Sequence, residues 1–512
     1  MLEHTPEQWL QEVIKNCLNT LPMTEKKETL ITDKELKNRY EQFTYNEKAC
    51  IRSLFREQFE TNDSLLILSY LVNIVKLDDF CQDIAYHISV SEFDCFTQSM
   101  LEIQLIFFGN IPYPQMRKVH RKSIACFSKE LDCRFPYIPI EKRNKNRIVI
   151  LTEQLLHNRH APTAMTLQTA YVLQKKLGYE ILLMTCTSNR PISPGLWIST
   201  KGFNAADERG YKKLDYQGET LSLYQYPMKL CTLEDYRQML SQIYDWNPLF
   251  VLNMGINNPI ADLPQTFTTV AERAMVTTAP ISEADILIRN VRQSEELEAE
   301  YETELSPHQK QIFMDRKFPA IIEKSEKTYT RREFNLPENK FLIAVVGNRL
   351  NSEIDERFIQ LMYDILQSND QIDIVIIGSA DDIWNQLNNE MRENRIHYPG
   401  YCRDLFAVYR IVDLYLNPKR QGGGWSSTIA LKAGLPVVTL PECDVAHSVG
   451  ETFIVPDYQN MLHTILRYST DTAFYKKQQQ SAFQLAAGND DDKIVDYVSE
   501  LMTKIQEAMK ND

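Results

Sequence analysis

Paired cysteines, excess positive charge, long apolar runs and abundant glycine are all missing from this sequence, and each absence excludes something. The ten cysteines, from Cys17 to Cys443, form no C-x-x-C pair and no tight His/Cys cluster, so neither a disulfide frame nor a zinc site is expected and buried thiols in a reducing compartment are. With 56 Lys and Arg against 69 Asp and Glu, the net charge of −13 argues against nucleic acid as the main ligand. The longest apolar stretch, "LLILSYLVNIVKL", is broken by Asn73 and Lys76 and falls short of the ~20 residues that span a bilayer, so no transmembrane segment is expected. The start, "MLEHTPEQWLQEV", has no basic region followed by an apolar one, which is unlike a secretory signal and points to the cytoplasm. No metal site is expected either: the acids Asp490 to Asp492 of "NDDDKIV" stand ahead of a helix, where carboxylates suit the macrodipole.

What is present is a soluble composition, 43% apolar and 24% charged, in a chain of 512 residues, enough for about two to four domains. Residues 1–144 read as helices. "TPEQWLQEV" offers Thr5 as N-cap with Gln8 placed for a capping box, "TDKELKNRYEQF" repeats this with Thr32 and Glu35, and "SEFDCFTQ" does so with Ser91 and Asp94. At the basic run "EKRNKNR" the periodicity changes, so the helical block is expected to be a separable module. A chain starting near Pro139 is then expected to fold.

Residues 145–320 read as an α/β unit, with strands at "RIVILT", "EILLMT", "LSLYQY", "LFVLN" and "AMVTTA" separated by crossovers. A charged helical connector, "SEELEAEYETELSPHQKQIFMDRK", leads to a second α/β unit over 321–512. Its strands are "FLIAVVG", "IDIVIIG", "DLYLNP" and "LPVVTLP", and closing helices follow.

Three of the 16 glycines are consecutive, Gly422, Gly423 and Gly424, in "KRQGGGWSST" between a strand and a helix. Glycine is the costliest residue to order, so a run of three asks what approaches the backbone there. Strand, glycine turn and helix in this order stand where open α/β sheets bind ligands. Amides of Trp425, Ser426 and Ser427 at the helix start, hydroxyls of Ser426, Ser427 and Thr428, and the charges of Lys419 and Arg420 suit a diphosphate. The other reading is a tight turn with a hydroxyl-capped helix. The spacing is neither that of a P-loop nor G-x-G-x-x-G on a first strand. On the same sheet edge, "VVGNRLNSEID" places Arg349 after a strand. It also stands four residues before Glu353, in reach of an i,i+4 ion pair. On the middle unit, His160 in "TEQLLHNRHAPT" stands before a helix where a proton-accepting imidazole would serve an acceptor hydroxyl, with His157 second; Asn257, Asn258 and His447 are further candidates.

The stretch "HYPGYCRDLFAVYRIVDLYLNPKRQGGGWSSTIALKAGLPVV" resembles the donor half of GT-B glycosyltransferases, enzymes with two Rossmann-like domains facing a cleft; here an all-α N-terminal domain precedes them. The resemblance implies that Tyr398, Gly400 and Tyr401 face a nucleotide base. It implies that Arg349, Lys419 and the turn from Gly422, Gly423 and Gly424 into Trp425, Ser426 and Ser427 hold the diphosphate of a nucleotide-sugar, with UDP foremost. It further implies a hexosyl or N-acetylhexosaminyl transfer to a protein or glycan, without metal, and assembly through the helical block as a homo-oligomer or transferase complex. Many retaining members carry a glutamate pair around this loop, where this chain has Gln421 and Ile429. A GT-B protein that has lost catalysis and stabilises another transferase is therefore the alternative, and a nucleotide-sugar epimerase on the same architecture the third. The glycine turn is expected to lie outside any core, so that Gly423→Val would abolish binding with little change in melting temperature.

Overall fold

The computed structural model describes residues 5–19, 32–57, 78–108, 111–153, 155–156, 160–186, 209–226, 231–255, 257–275, 279–314, 318–319, 322, 325–420, 422–487 and 491–510. The apolar stretch at 65–77, His157, Gln421 and Asp490 lie outside them. They form two compact units, 1–316 with 498–512, and 317–497. Among the described residues no helix is long and apolar enough to cross a membrane.

The first unit opens with α1 (Pro6–Asn19), α2 (Asp33–Gln42), α3 (Tyr45–Glu57), α4 (Asp78–Val90), α5 (Cys95–Phe108) and α6 (Tyr113–Leu131). The capping box at Thr5 forms, with Gln8 N–H donating to Thr5 Oγ1 and Thr5 N–H to Gln8 Oε1. Thr32 caps α2 through the amide of Glu35. Helix α5 is capped by Asp94, which accepts the amides of Phe96 and Thr97, and so starts four residues after Ser91. Trp9, Val13, Leu36, Ile51, Ile84 and Leu101 are fully buried and give these helices a common core.

The sheet of the first unit runs β3-β4-β2-β1-β5-β6-β7-β8, comprising β1 (Asn144–Thr152), β2 (Glu180–Thr185), β3 (Gly210–Tyr216), β4 (Glu219–Gln225), β5 (Pro248–Asn253), β6 (Val270–Arg273), β7 (Ile286–Arg289) and β8 (Lys310–Phe313). All pairings are parallel except the hairpin β3–β4. The connector differs from its sequence reading: its helix stops at Thr303, and "KQIF" is the edge strand β8. An edge strand needs only half-burial, so it lacks the apolar run that marks β5. Strand β6 likewise precedes "AMVTTA".

The helical block shares buried residues with the sheet of this unit. Near its start α6 contributes Met116 and Val119 to the helical core, and further along it contributes Phe127 and Leu131 to the core of the sheet, with Val149, Leu182 and Val251. Between them lies a polar staple. His120, fully buried, has Nδ1 2.5 Å from Glu102 Oε1 and Nε2 2.8 Å from Asp262 Oδ2. Arg117 pairs with Glu283 at 2.5 Å and donates to the carbonyl of Ser282. Arg121 donates to Glu283 Oε1 and to Glu304 O. Composition changes at residue 144, but burial does not.

The second unit has a sheet of order β11-β10-β9-β12-β13, all parallel, from β9 (Phe341–Gly347), β10 (Ile372–Gly378), β11 (Ile396–Gly400), β12 (Leu414–Leu416) and β13 (Val437–Val438). Both faces are covered: Ile343 and Val345 of β9 join one core, Leu342, Ala344 and Val346 the other. That is why β9 and β10 read as unbroken apolar runs. Strand order reverses between β9 and β12, and in such sheets the loops leaving the two strands at the reversal diverge and open a crevice at their carboxyl ends.

Candidate donor site

The loops at this reversal are those the sequence marked. From β9 the chain turns at Gly347 into Arg349 and the short helix Leu350–Glu353; from β12 it runs through Asn417 to Gly422 and Gly423, then into helix α7 of this unit (Gly424–Lys432). Gly422 and Gly423 have φ of +98° and +83°, where a side chain is strained.

What the glycines admit is first of all arginine. A Cβ on Gly423 would lie 2.8 Å from Arg420 Nη2, one on Gly347 would collide with Arg420 Nη1, and one on Gly422 would lie 2.9 Å from Arg349 Nη2. Arg420 is buried, donating from Nε to Asn417 Oδ1 (2.9 Å), from Nη1 to Glu353 Oε2 (2.7 Å) and from Nη2 to Val346 O (2.7 Å) and Tyr415 Oη (2.8 Å). It is therefore a clamp between the two loops. Arg349 pairs through Nε and Nη2 with Glu353 Oε1, at 3.1 and 3.0 Å, yet its side chain is 62% exposed.

Several expected contacts are corrected. Ser427 N–H donates to Gly423 O as the first intrahelical bond, so the amides ahead of it, of Gly424, Trp425 and Ser426, are those without an acceptor in the helix. The hydroxyls turn back on the same helix: Ser426 to Gly423 O, Ser427 and Thr428 to Gly424 O. Ser427 is fully buried. Hydroxyls one turn into a helix reach the preceding carbonyls more readily than a ligand beyond its end. Lys419 pairs with Glu442 at 2.5 Å, both exposed. Asp444, unmarked in the sequence reading, accepts the amide of Gly422 at 2.7 Å. It is the first residue of a short helix after β13, where an acid suits the macrodipole.

On β11 Tyr398 is an anchor: its hydroxyl accepts the amide of Ala380 (3.0 Å) and its ring packs on Trp384. Gly400 (φ +76°) has nothing within 4 Å of a built Cβ, and Tyr401 is exposed. Open space beside an exposed ring suits a flat apolar group.

His160 lies in the first unit, as N-cap of the helix Ala161–Tyr171 after β1, with Nδ1 3.0 Å from Thr163 Oγ1. Glu153 at the end of β1 was also missed, and burial pushes its carboxyl up to about 7. Asn257 and Asn258 serve the fold, accepting the amide of Ile281 and capping Pro259–Asp262. Half-buried His447 lies in the short helix Asp444–Val449. Among the described residues no group of three or more His, Cys, Asp or Glu could hold a metal ion.

Gly423→Val is thus expected to lower stability by about 2 kcal/mol or more, from a branched residue at positive φ pressed on a buried guanidinium, and to remove any ligand of the turn. Thermal unfolding and ligand titration of this variant check both. An unchanged melting temperature would restore the turn outside the core that the sequence alone suggested.

Residues 340–471 match the family model described as glycosyl transferases group 1. No curated protein matches the chain in sequence. Among solved structures, an O-GlcNAc transferase mutant of Thermobaculum terrenum is similar with a TM-score of 0.53 at 10% identity, covering 99% of this chain and 98% of the other. A trehalose-6-phosphate structure from E. coli bound with UDP-2-fluoro glucose has a TM-score of 0.47 at 12% identity, over 70% and 98%. The pneumococcal O-GlcNAc transferase GtfA, in complex with UDP and GlcNAc, has a TM-score of 0.46 at 8% identity, over 72% and 99%.

Proposed function

From a GT-B fold whose second unit holds the match to glycosyl transferases group 1, we propose that this chain moves a sugar from a nucleoside diphosphate, UDP foremost, to a protein or glycan acceptor. The observation that carries the reading is the convergence, at the strand reversal of the second sheet, of an exposed guanidinium and a helix N-terminus whose leading amides lack an intrahelical acceptor. As the bond from sugar to β-phosphate breaks, negative charge grows on the leaving diphosphate. Arg349 and the amides of Gly424, Trp425 and Ser426 stand ready for that charge, and fixed donors need no reorganisation when it develops. Gly400 and Tyr401 offer the base a flat seat. His160, whose Nδ1 lies 3.0 Å from Thr163 Oγ1, is the acceptor-side base in this reading.

Arg349→Ala is expected to weaken UDP binding by about 1.5–3 kcal/mol, the worth of a charge-assisted hydrogen bond, with the fold intact because the side chain is exposed. Calorimetry with UDP, GDP and their sugars measures this, and mass spectrometry of nucleotide-sugar hydrolysis and transfer tests turnover. A wild-type protein that bound no nucleotide at millimolar concentration would sink the transferase reading. One that bound but never turned over would be the inactive partner of another transferase.

A further inference from the structure

We infer that Glu353 is the positioning residue of this donor site, holding the exposed guanidinium of Arg349 against the glycine turn while itself fixed by the buried guanidinium of Arg420. The inference rests on the donor-site reading above and goes beyond it in naming what aims the phosphate-binding group. Glu353 is only 11% exposed in its side chain, and its two oxygens have separate tasks. Oε2 accepts from Arg420 Nη1 at 2.7 Å, and Oε1 accepts from Arg349 Nε and Nη2 at 3.1 and 3.0 Å. Arg420 is in turn bound to Val346 O, Tyr415 Oη and Asn417 Oδ1, so the carboxylate cannot swing away without unpairing a buried cation.

An exposed i,i+4 pair is ordinarily worth little, because two long side chains must be ordered to form it. Here one partner is already immobile, and Arg349 alone is left to order. The ordering has a direction, since Arg349 Nη2 lies 2.9 Å from where a Cβ of Gly422 would stand. A guanidinium placed before its ligand arrives spends less freedom on binding.

The experiment compares UDP, by calorimetry, with uridine, by ligand-observed NMR, on the full chain. Glu353→Gln is expected to weaken UDP about tenfold while leaving uridine unchanged, and to add nothing further when Arg349 is already alanine. Because Arg420 depends on the same carboxylate, Glu353→Asp is the companion variant. It keeps a negative charge near Arg420 while shortening the reach of the carboxylate by one methylene, and should show the same split if Glu353→Gln does not fold. Equal UDP affinity in the wild type and a folded variant would overturn the inference, as would an equal loss for UDP and uridine, which marks a purely structural role. A wild type that binds no nucleotide would overturn the donor reading first, and this inference with it.

Discussion

Replacing His120 by alanine is expected to cost the first unit about 3–5 kcal/mol, seen as a large fall in melting temperature and in the urea midpoint, because it strands two buried carboxylates. Glu102 and Asp262 are both fully buried, and Glu102 Oε2 already has no hydrogen-bond partner among the described residues. The imidazolium between them is the positive charge they share, and Asp262 also accepts from Ser282 Oγ and the amide of Glu283. Those carboxylates push its pKa up to about 10 from 6.5, against the opposing effect of burial. A raised folded-state value gives stability that is fully present below about pH 6.5 and is lost as pH climbs through about 10. The gap between wild type and His120→Ala should therefore be widest near pH 6 and narrow above pH 9. A gap independent of pH would mean that packing, and not charge, holds α6 in place. By the same logic a chain starting at Pro139 should fail to fold its first unit, since it loses His120, Phe127 and Leu131 together. A soluble, cooperatively unfolding truncation would restore the separable module.

Replacing Arg420 by alanine is expected to be as severe in the second unit, about 3–5 kcal/mol, and to abolish UDP binding outright. Val346 O, Tyr415 Oη, Asn417 Oδ1 and Glu353 Oε2 all lose their common donor, and a void opens behind Gly347 and Gly423. The two loops at the strand reversal would then no longer be tied together. Arg420→Lys keeps the charge but cannot serve four acceptors with one ammonium, so it should recover only part of the stability. Scanning calorimetry of both variants, with UDP titration, is the measurement. An alanine variant that melted like the wild type and still bound UDP would show the clamp to be dispensable.

These two sites also mark where sequence reading stops. Periodicity and length determine the α/β units, because a strand covered on both faces must be apolar throughout, as "FLIAVVG" and "IDIVIIG" are; glycines after β12 and Arg349 after β9 mark the two loops at the strand reversal, because a backbone held at positive φ leaves its trace as glycine. Capping chemistry at Thr5 and Thr32 is legible for the same reason: it joins residues three apart. What only tertiary structure decided are the partners distant in the chain. Arg420 looked like a surface cation beside Lys419 until the fold brought Val346 and Glu353 against it, and Lys419 found Glu442 instead. His120 in "RKVHRKS" gave no sign of Asp262, 142 positions away. The glycine run was read as room for a ligand, whereas the fold fills the space behind it with guanidinium. Local patterns record the conformation a segment must adopt, but the charge a buried group needs is supplied from elsewhere in the chain, and sequence spacing holds no record of that.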